Sequence, residues 1–233
     1  MRGSTRPIHL IGGGQRTARQ RPESLLEAVF ADAGRERPSV AYVGVASDDD
    51  GDFFRWLAAI FKRAGAGEVR LVPLASPRSD VAEARAVLES CDIVFISGGD
   101  VEAGMKHLER HGLSAYLRNL YLAGKGFFGL SAGSIMLARC WVRWADPRDD
   151  ASVETFPCMA LAPLVCDTHA ESDDWEELRT LLALTDETVG FGIPTGAALR
   201  VGPDGALSAV GKAVHRLSHH RGRIARLTDL APL

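Results

Sequence analysis

The chain has 233 residues, 46% of them hydrophobic and 24% charged, with a formal net charge of −3. Such a chain can bury a sizeable core, and it has no global basic field to attract nucleic acid. Cys91, Cys140, Cys158 and Cys166 form no C-x-x-C pair and read as reduced thiols; with no signal-peptide pattern and no run of membrane-spanning length, the expectation is a cytoplasmic protein.

The pattern predicts a first strand over 7–11 that runs into Gly12-Gly13-Gly14, then a helix over 22–33 closed by Gly34. A strand over 39–45 precedes the acidic loop 47–52, a helix over 53–64 and a strand over 68–74. A helix over 80–88 leads to a strand over 92–96 that breaks at Ser97-Gly98-Gly99-Asp100, and helical pattern follows over 101–110 and 113–122. Phe127-Phe128-Gly129-Leu130 reads as a buried strand entering Ser131. Short apolar strands alternating with helices predict a three-layer, doubly wound, mostly parallel α/β sheet. Its strands' carboxyl ends, with the glycine loops, form the edge where ligands of such sheets bind.

Beyond the serine, 139–144 is a candidate strand, 146–157 a loop, 164–167 a strand ending at His169, and 174–184 a helix. Short strands over 188–193, 197–201, 206–210 and 222–227, with a turn at Pro203-Asp204-Gly205, predict a few antiparallel C-terminal strands. No repeat or linker interrupts residues 1–233, so one domain is expected.

Gly129-Leu130-Ser131-Ala132-Gly133 has the Gly-x-Ser-x-Gly pattern of a nucleophile elbow. A strand turns sharply into a helix there, and the glycines keep side chains out of the turn. A serine nucleophile needs a base, and the base needs an orienting acid. Of the seven histidines, His107 and His111 read as solvent-facing, and His215, His219 and His220 as a solvated turn among arginines. His169 follows a buried strand at the sheet edge where the serine emerges, 38 positions after it. That separation is short for a general α/β esterase, which remains an alternative.

Four segments in order resemble the peptidase E/cyanophycinase family of serine peptidases, whose fold is similar to class I glutamine amidotransferases. They are Leu10-Ile11-Gly12-Gly13-Gly14, Val94-Phe95-Ile96-Ser97-Gly98-Gly99-Asp100-Val101, the elbow itself, and Asp167-Thr168-His169. The resemblance implies Ser131 as nucleophile, His169 as general base, and the N–H groups of Gly99 and Ala132 as oxyanion hole. It also implies Gly98, Asp100, Asp167 and Thr168 as substrate-binding residues, and no cofactor or metal. Peptidase E carries an aspartate fifteen residues after the serine, where Asp146 stands here, with Asp149 and Asp150 as alternatives. Cyanophycinase-like members use a later Gly-Ile-x-Glu segment, which here reads Gly192-Ile193-Pro194-Thr195 with no carboxylate.

The implied reaction is hydrolysis of a peptide or isopeptide bond in a small, dipeptide-like or aspartyl-type substrate through an acyl-enzyme, by a monomer or homodimer. No nucleic acid or membrane is implied as a partner. Cyanophycin-type members carry arginines just after the histidine, whereas this chain has Glu171, Asp173, Asp174, Glu176 and Glu177, the acidic first turn of a helix capped by Ser172 or Asp173. A substrate with a free amine or basic group suits that departure, while Arg139, Arg143 and Arg148 keep a carboxylate substrate open. A catalytically silent ligand-binding member of the fold is the non-enzymatic alternative. A nucleotide-binding reading of the first glycine loop is weak, because Thr17 replaces the last glycine of that fingerprint.

Overall fold

The apolar strands of the first half of the chain are buried on both faces because helices cover both. The computed structural model describes residues 5–13, 22–146 and 148–232; Gly14 and Thr17 of the first glycine loop and Pro147 lie outside them. Strands β1 (Ile8–Ile11), β2 (Val40–Val43), β3 (Val69–Val72), β4 (Ile93–Ile96) and β5 (Gly126–Leu130) run parallel. Two antiparallel strands, β10 (Ala197–Val201) and β11 (Leu207–Gly211), extend one edge, in the order β11-β10-β1-β5-β4-β2-β3.

Successive side chains of a strand point to opposite faces, so the sheet divides its residues between two cores. Ile8, Leu10, Val94, Ile96 and Phe127 pack under α3 (Val81–Ser90), α4 (Val101–Arg110), α5 (Leu113–Leu122) and α6 (Ala132–Leu137). Ile11, Tyr42, Phe95 and Phe128 pack under α1 (Pro22–Ala31) and α2 (Gly51–Arg63). Helix starts follow the sequence: Asp50, Asp80 and Asp100 each accept backbone N–H bonds at the caps of α2, α3 and α4.

The second half departs from expectation at two strands. The segment 146–157, predicted as a loop, contains β7 (Val153–Pro157), paired antiparallel with β6 (Cys140–Trp144). Its aspartates and flanking proline hide a strand whose Phe156 is buried. His215, His219 and His220, read as a solvated turn, belong to β12 (His215–His220). That strand lies inside a second sheet, β13-β12-β9-β8, with β8 (Val165–Thr168), β9 (Val189–Ile193) and β13 (Arg223–Arg226). Only Leu217 of β12 is buried, which leaves too little apolar alternation to betray a strand. Helix α7 (Glu176–Leu184) covers this sheet through Leu178, Leu181 and Leu182 against Val142, Val165 and Leu217. His107 and His111 are also less exposed than expected: His107 lies 3.4 Å from Asp48, and His111 Nε2 bonds the Leu74 carbonyl at 2.9 Å.

Below the first sheet, buried His9 and half-exposed Arg200 both bond the Asp32 carboxylate, at 2.8 and 2.7 Å. The His9 bond, with that of Arg200, holds the Asp32 carboxyl well below the usual range despite burial. A depressed carboxyl stabilises the fold above its unfolded value, and that stability is lost as pH falls below about 4. Asp32→Asn is therefore expected to cost about 1–2 kcal/mol at pH 7, discounted for partial exposure. In urea titrations the gap to wild type should close between about pH 5 and pH 2. A gap independent of pH would contradict the assignment.

Candidate active site

Ser131 occupies the turn between β5 and α6 with φ 52° and ψ −119°, a conformation side chains rarely adopt. Three contacts hold it there. Its N–H donates to the Ile11 carbonyl at 2.9 Å, the Ser134 hydroxyl donates to the same carbonyl at 2.9 Å, and Ser134 N–H bonds Ser131 O at 2.8 Å. The two elbow glycines are required by close approach. A Cβ at Gly129 would lie 2.5 Å from the Gly133 backbone, and one at Gly133 would overlap the carbonyl oxygens of Ile96 and Ser97. Bare backbone also lines the serine itself: Cβ positions at Gly13 and Gly98 would fall 3.1 and 3.3 Å from Ser131 Cβ.

His169 follows β8 in the second sheet, again with positive φ (46°), its N–H bonded to Ile193 O at 3.0 Å. Helix α6 packs on β8, and β9 continues through Pro194 and Thr195 into β10 of the first sheet, so the two carboxyl edges meet. Ser131 Oγ and His169 Nε2 are 2.7 Å apart. With the ring proton on Nδ1, the serine hydroxyl donates to Nε2, which is the geometry of a nucleophile and its base.

The N–H groups of Gly98, Gly99 and Ala132 have no acceptor among the described residues. Gly99 adopts φ +142°, and a side chain there would overlap the Ala46 carbonyl, so the loop is committed to glycine.

The remaining expected site residues fall elsewhere. Asp146 sits exposed in the β6–β7 hairpin, where its carboxylate accepts from Arg148 N at 3.0 Å and its backbone exchanges bonds with the Ser152 hydroxyl. It makes no hydrogen bond or ion pair with His169 among the described residues; its bonds are spent within the hairpin. Asp149 caps the next turn through Ala151 N, and Asp150 is exposed in that turn. Asp100 is engaged as the cap of α4. Asp167 and Thr168 are 4% exposed within β8, and Thr168 N–H bonds Asp167 Oδ1 at 2.7 Å. Both are buried in the sheet and not open to a ligand. Arg139 pairs with Glu187, and Arg143 with Glu102 and Glu154, so neither is a spare receptor for a substrate carboxylate.

The surroundings of His169 are acidic instead. Burial pushes the Asp167 carboxyl up to about 7, with Glu177 and Asp173 adding to the rise, and Asp167 Oδ2 has no partner. Burial also raises Glu177, against the hydrogen bond it accepts from Trp141 Nε1 at 2.9 Å. Glu171, two residues after the histidine, accepts from Thr195 N at 2.7 Å. Among the described residues no group of three or more His, Cys, Asp or Glu is arranged to hold a metal ion, and no helix is long and apolar enough to cross a membrane. Sequence reading saw these acids only as a helix start; the structure adds that the Trp175 N–H, just before α7, bonds the carbonyl of Ala170, the residue after His169, at 3.1 Å.

The model of Peptidase family S51 matches residues 8–208. No curated protein matches the chain. A solved peptidase from an acI-B1 Actinobacterium superposes with TM-score 0.69 at 15% identity, covering 99% of this chain and 98% of that one. A candidate peptidase E from Listeria monocytogenes EGD-e superposes with TM-score 0.64 at 14% identity, covering 89% and 98%. At those identities the two structures speak for the fold, a mixed α/β architecture with a large, mostly parallel central sheet.

Proposed function

The chain belongs to peptidase family S51 and is a serine-type peptidase, and from that premise we propose that Ser131 is its nucleophile and His169 its general base. The single observation that carries this reading is the 2.7 Å approach of Ser131 Oγ to His169 Nε2 across two different sheets. Ser131 attacks the carbonyl carbon of an amide while its proton passes to Nε2. The oxyanion forms against the Ala132 N–H and a glycine-loop N–H, most directly that of Gly99. Collapse expels the amine, which takes the proton back from His169. The acyl-enzyme on Ser131 is then hydrolysed by water with His169 again as base.

The substrate is a short peptide or isopeptide with a free amine. The acidic segment 171–177 that follows His169, of which Asp174 alone is paired with an arginine (Arg179), favours positive charge there, and Arg139 and Arg143 are already engaged with Glu187, Glu102 and Glu154. The test is hydrolysis of a dipeptide and isopeptide panel containing Asp-x, β-Asp-x and basic N-terminal residues, each with its N-acetylated counterpart. Cleavage confined to free-amine members is expected. Equal cleavage of acetylated ones would refute the substrate assignment, and no Ser131-dependent turnover on any member would count against the nucleophile.

A further inference from the structure

Both Ser131 and His169 sit on backbone that needs support. Ser131 has φ 52° and His169 φ 46°, and a residue with a side chain keeps such a conformation only where its surroundings over-determine it. The Ser131 N–H is held by the carbonyl of Ile11, the last residue of β1, and the His169 N–H by that of Ile193, the last residue of β9. These two strand ends touch. A Cβ on Gly12 would lie 2.4 Å from Pro194 O and 2.6 Å from Ile193 O, and the Gly12 N–H donates to Ala197 O at 3.0 Å. Residues 193–197, the crossover from the second sheet into the first, are therefore a common support for both side chains.

The crossover is a tight turn. Ala197 N–H donates to Pro194 O at 3.0 Å, and Gly196 stands at the third position with φ +83°. The N–H and C=O of Thr195 are left over, and each is taken by a side chain of matching charge. Glu171 Oε1 accepts from Thr195 N–H at 2.7 Å, and Lys212 Nζ donates to Thr195 O at 2.8 Å. Hydrogen bonds with one ionised partner are the stronger kind. Glu171 stands two residues after His169, in the short turn Glu171–Asp173, whereas Lys212 directly follows β11 of the first sheet. The pairing of β8 with β9 ends at Thr168 and Ile193. Beyond it, the loop carrying His169 is tied to the crossover at two points, His169 N–H to Ile193 O and Thr195 N–H to Glu171. One bond would leave that loop free to pivot; two fix its direction.

We propose that Glu171 is a positioning residue: by holding the Thr195 N–H it locks the His169 loop to the crossover and so sets the reach of Nε2 to Ser131 Oγ, with Lys212 bracing Thr195 from the first sheet. This rests on the Ser131–His169 reading. Glu171 acts through the backbone and not on the ring, so its accepting oxygen is what counts in this role.

The test compares Glu171→Ala with Glu171→Gln, which keeps an accepting oxygen and removes the charge. Glu171 is exposed, so neither change disturbs the core. Glu171→Ala is expected to lower both kcat and the rate of Ser131 labelling by a fluorophosphonate about tenfold, and Glu171→Gln to keep both within about twofold of wild type. Lys212→Met should shift both in the direction of the alanine variant. Residue-resolved amide hydrogen exchange needs no substrate: the Thr195 and His169 amides should exchange about tenfold faster in Glu171→Ala and at the wild-type rate in Glu171→Gln. Equal losses in the alanine and glutamine variants would make the charge the active property and overturn the proposal. So would unchanged kcat and labelling in Glu171→Ala, or a loss confined to KM for free-amine peptides. A wild type whose Ser131 neither labels nor cleaves any peptide removes the hydrolase reading instead. Amide exchange then decides the clamp by itself: joint loss of protection at Thr195 and His169 supports it, and unchanged protection overturns it.

Discussion

Ser131→Ala is expected to lower turnover by roughly 10⁴-fold or more on any peptide the wild type cleaves, with KM little changed. In the proposed reaction the hydroxyl is both the attacking atom and the donor to His169, so its removal leaves only the N–H donors of the elbow and glycine loop to act on bound substrate. His169→Asn should fall by a similar factor, and the double variant should be no worse than either alone, because two groups that act on one proton transfer fail together. Fluorophosphonate labelling checks the same point without a known substrate. Wild type should label stoichiometrically at Ser131, His169→Asn only slowly, and Ser131→Ala not at all. Additive losses in the double variant would mean that the 2.7 Å contact is not a working nucleophile–base pair.

Gly133→Ala is expected to be strongly destabilising. The new carbon would overlap the carbonyl oxygens of Ile96 and Ser97, which belong to the end of the central strand β4 and the loop after it. Backbone there cannot give way without pulling the glycine loop with it, so the cost is about 3 kcal/mol, at the upper end for overpacking. Gly51→Ala provides the control. It lies in the first turn of α2 and meets only the far end of the Arg55 side chain at 3.2 Å, so it should stay within about 0.5 kcal/mol of wild type. Urea midpoints measure both. If Gly133→Ala matched the control, the close approach of α6 to β4 would be wrong. Labelling of Ser131 in the surviving folded fraction should fall as well, because the strained φ of the serine depends on that approach.

The local chemistry of the elbow was legible because it is local. Gly129, Ser131 and Gly133 follow one another in a turn where only glycine can sit against neighbouring backbone, and an apolar strand leads straight into them. The first seven helix and strand assignments were legible for the same reason: strands buried on both faces are continuous apolar runs, and Asp50, Asp80 and Asp100 stand where helix caps belong. In the second sheet β8, β9 and β13 were legible, but β12 was not. A strand such as 215–220, polar on both sides of one buried leucine, has no periodic signature until its partners are known.

The acid shows the same division. Counting fifteen residues from Ser131 reaches Asp146, but a hairpin between β6 and β7 takes that residue to the surface, and sequence distance cannot register a reversal of the chain. Glu177 on α7 accepts a hydrogen bond from Trp141 of β6, a contact between residues 36 apart that no local pattern announces. The sequence by itself marked Ser131, His169 and the sheet edge on which the structure brings them together, since glycine spacing and apolar runs are properties of neighbouring residues. Only the tertiary structure decided what each carboxylate contacts, because its placement depends on contacts between strands and a helix far apart in the chain, and no local pattern encodes those.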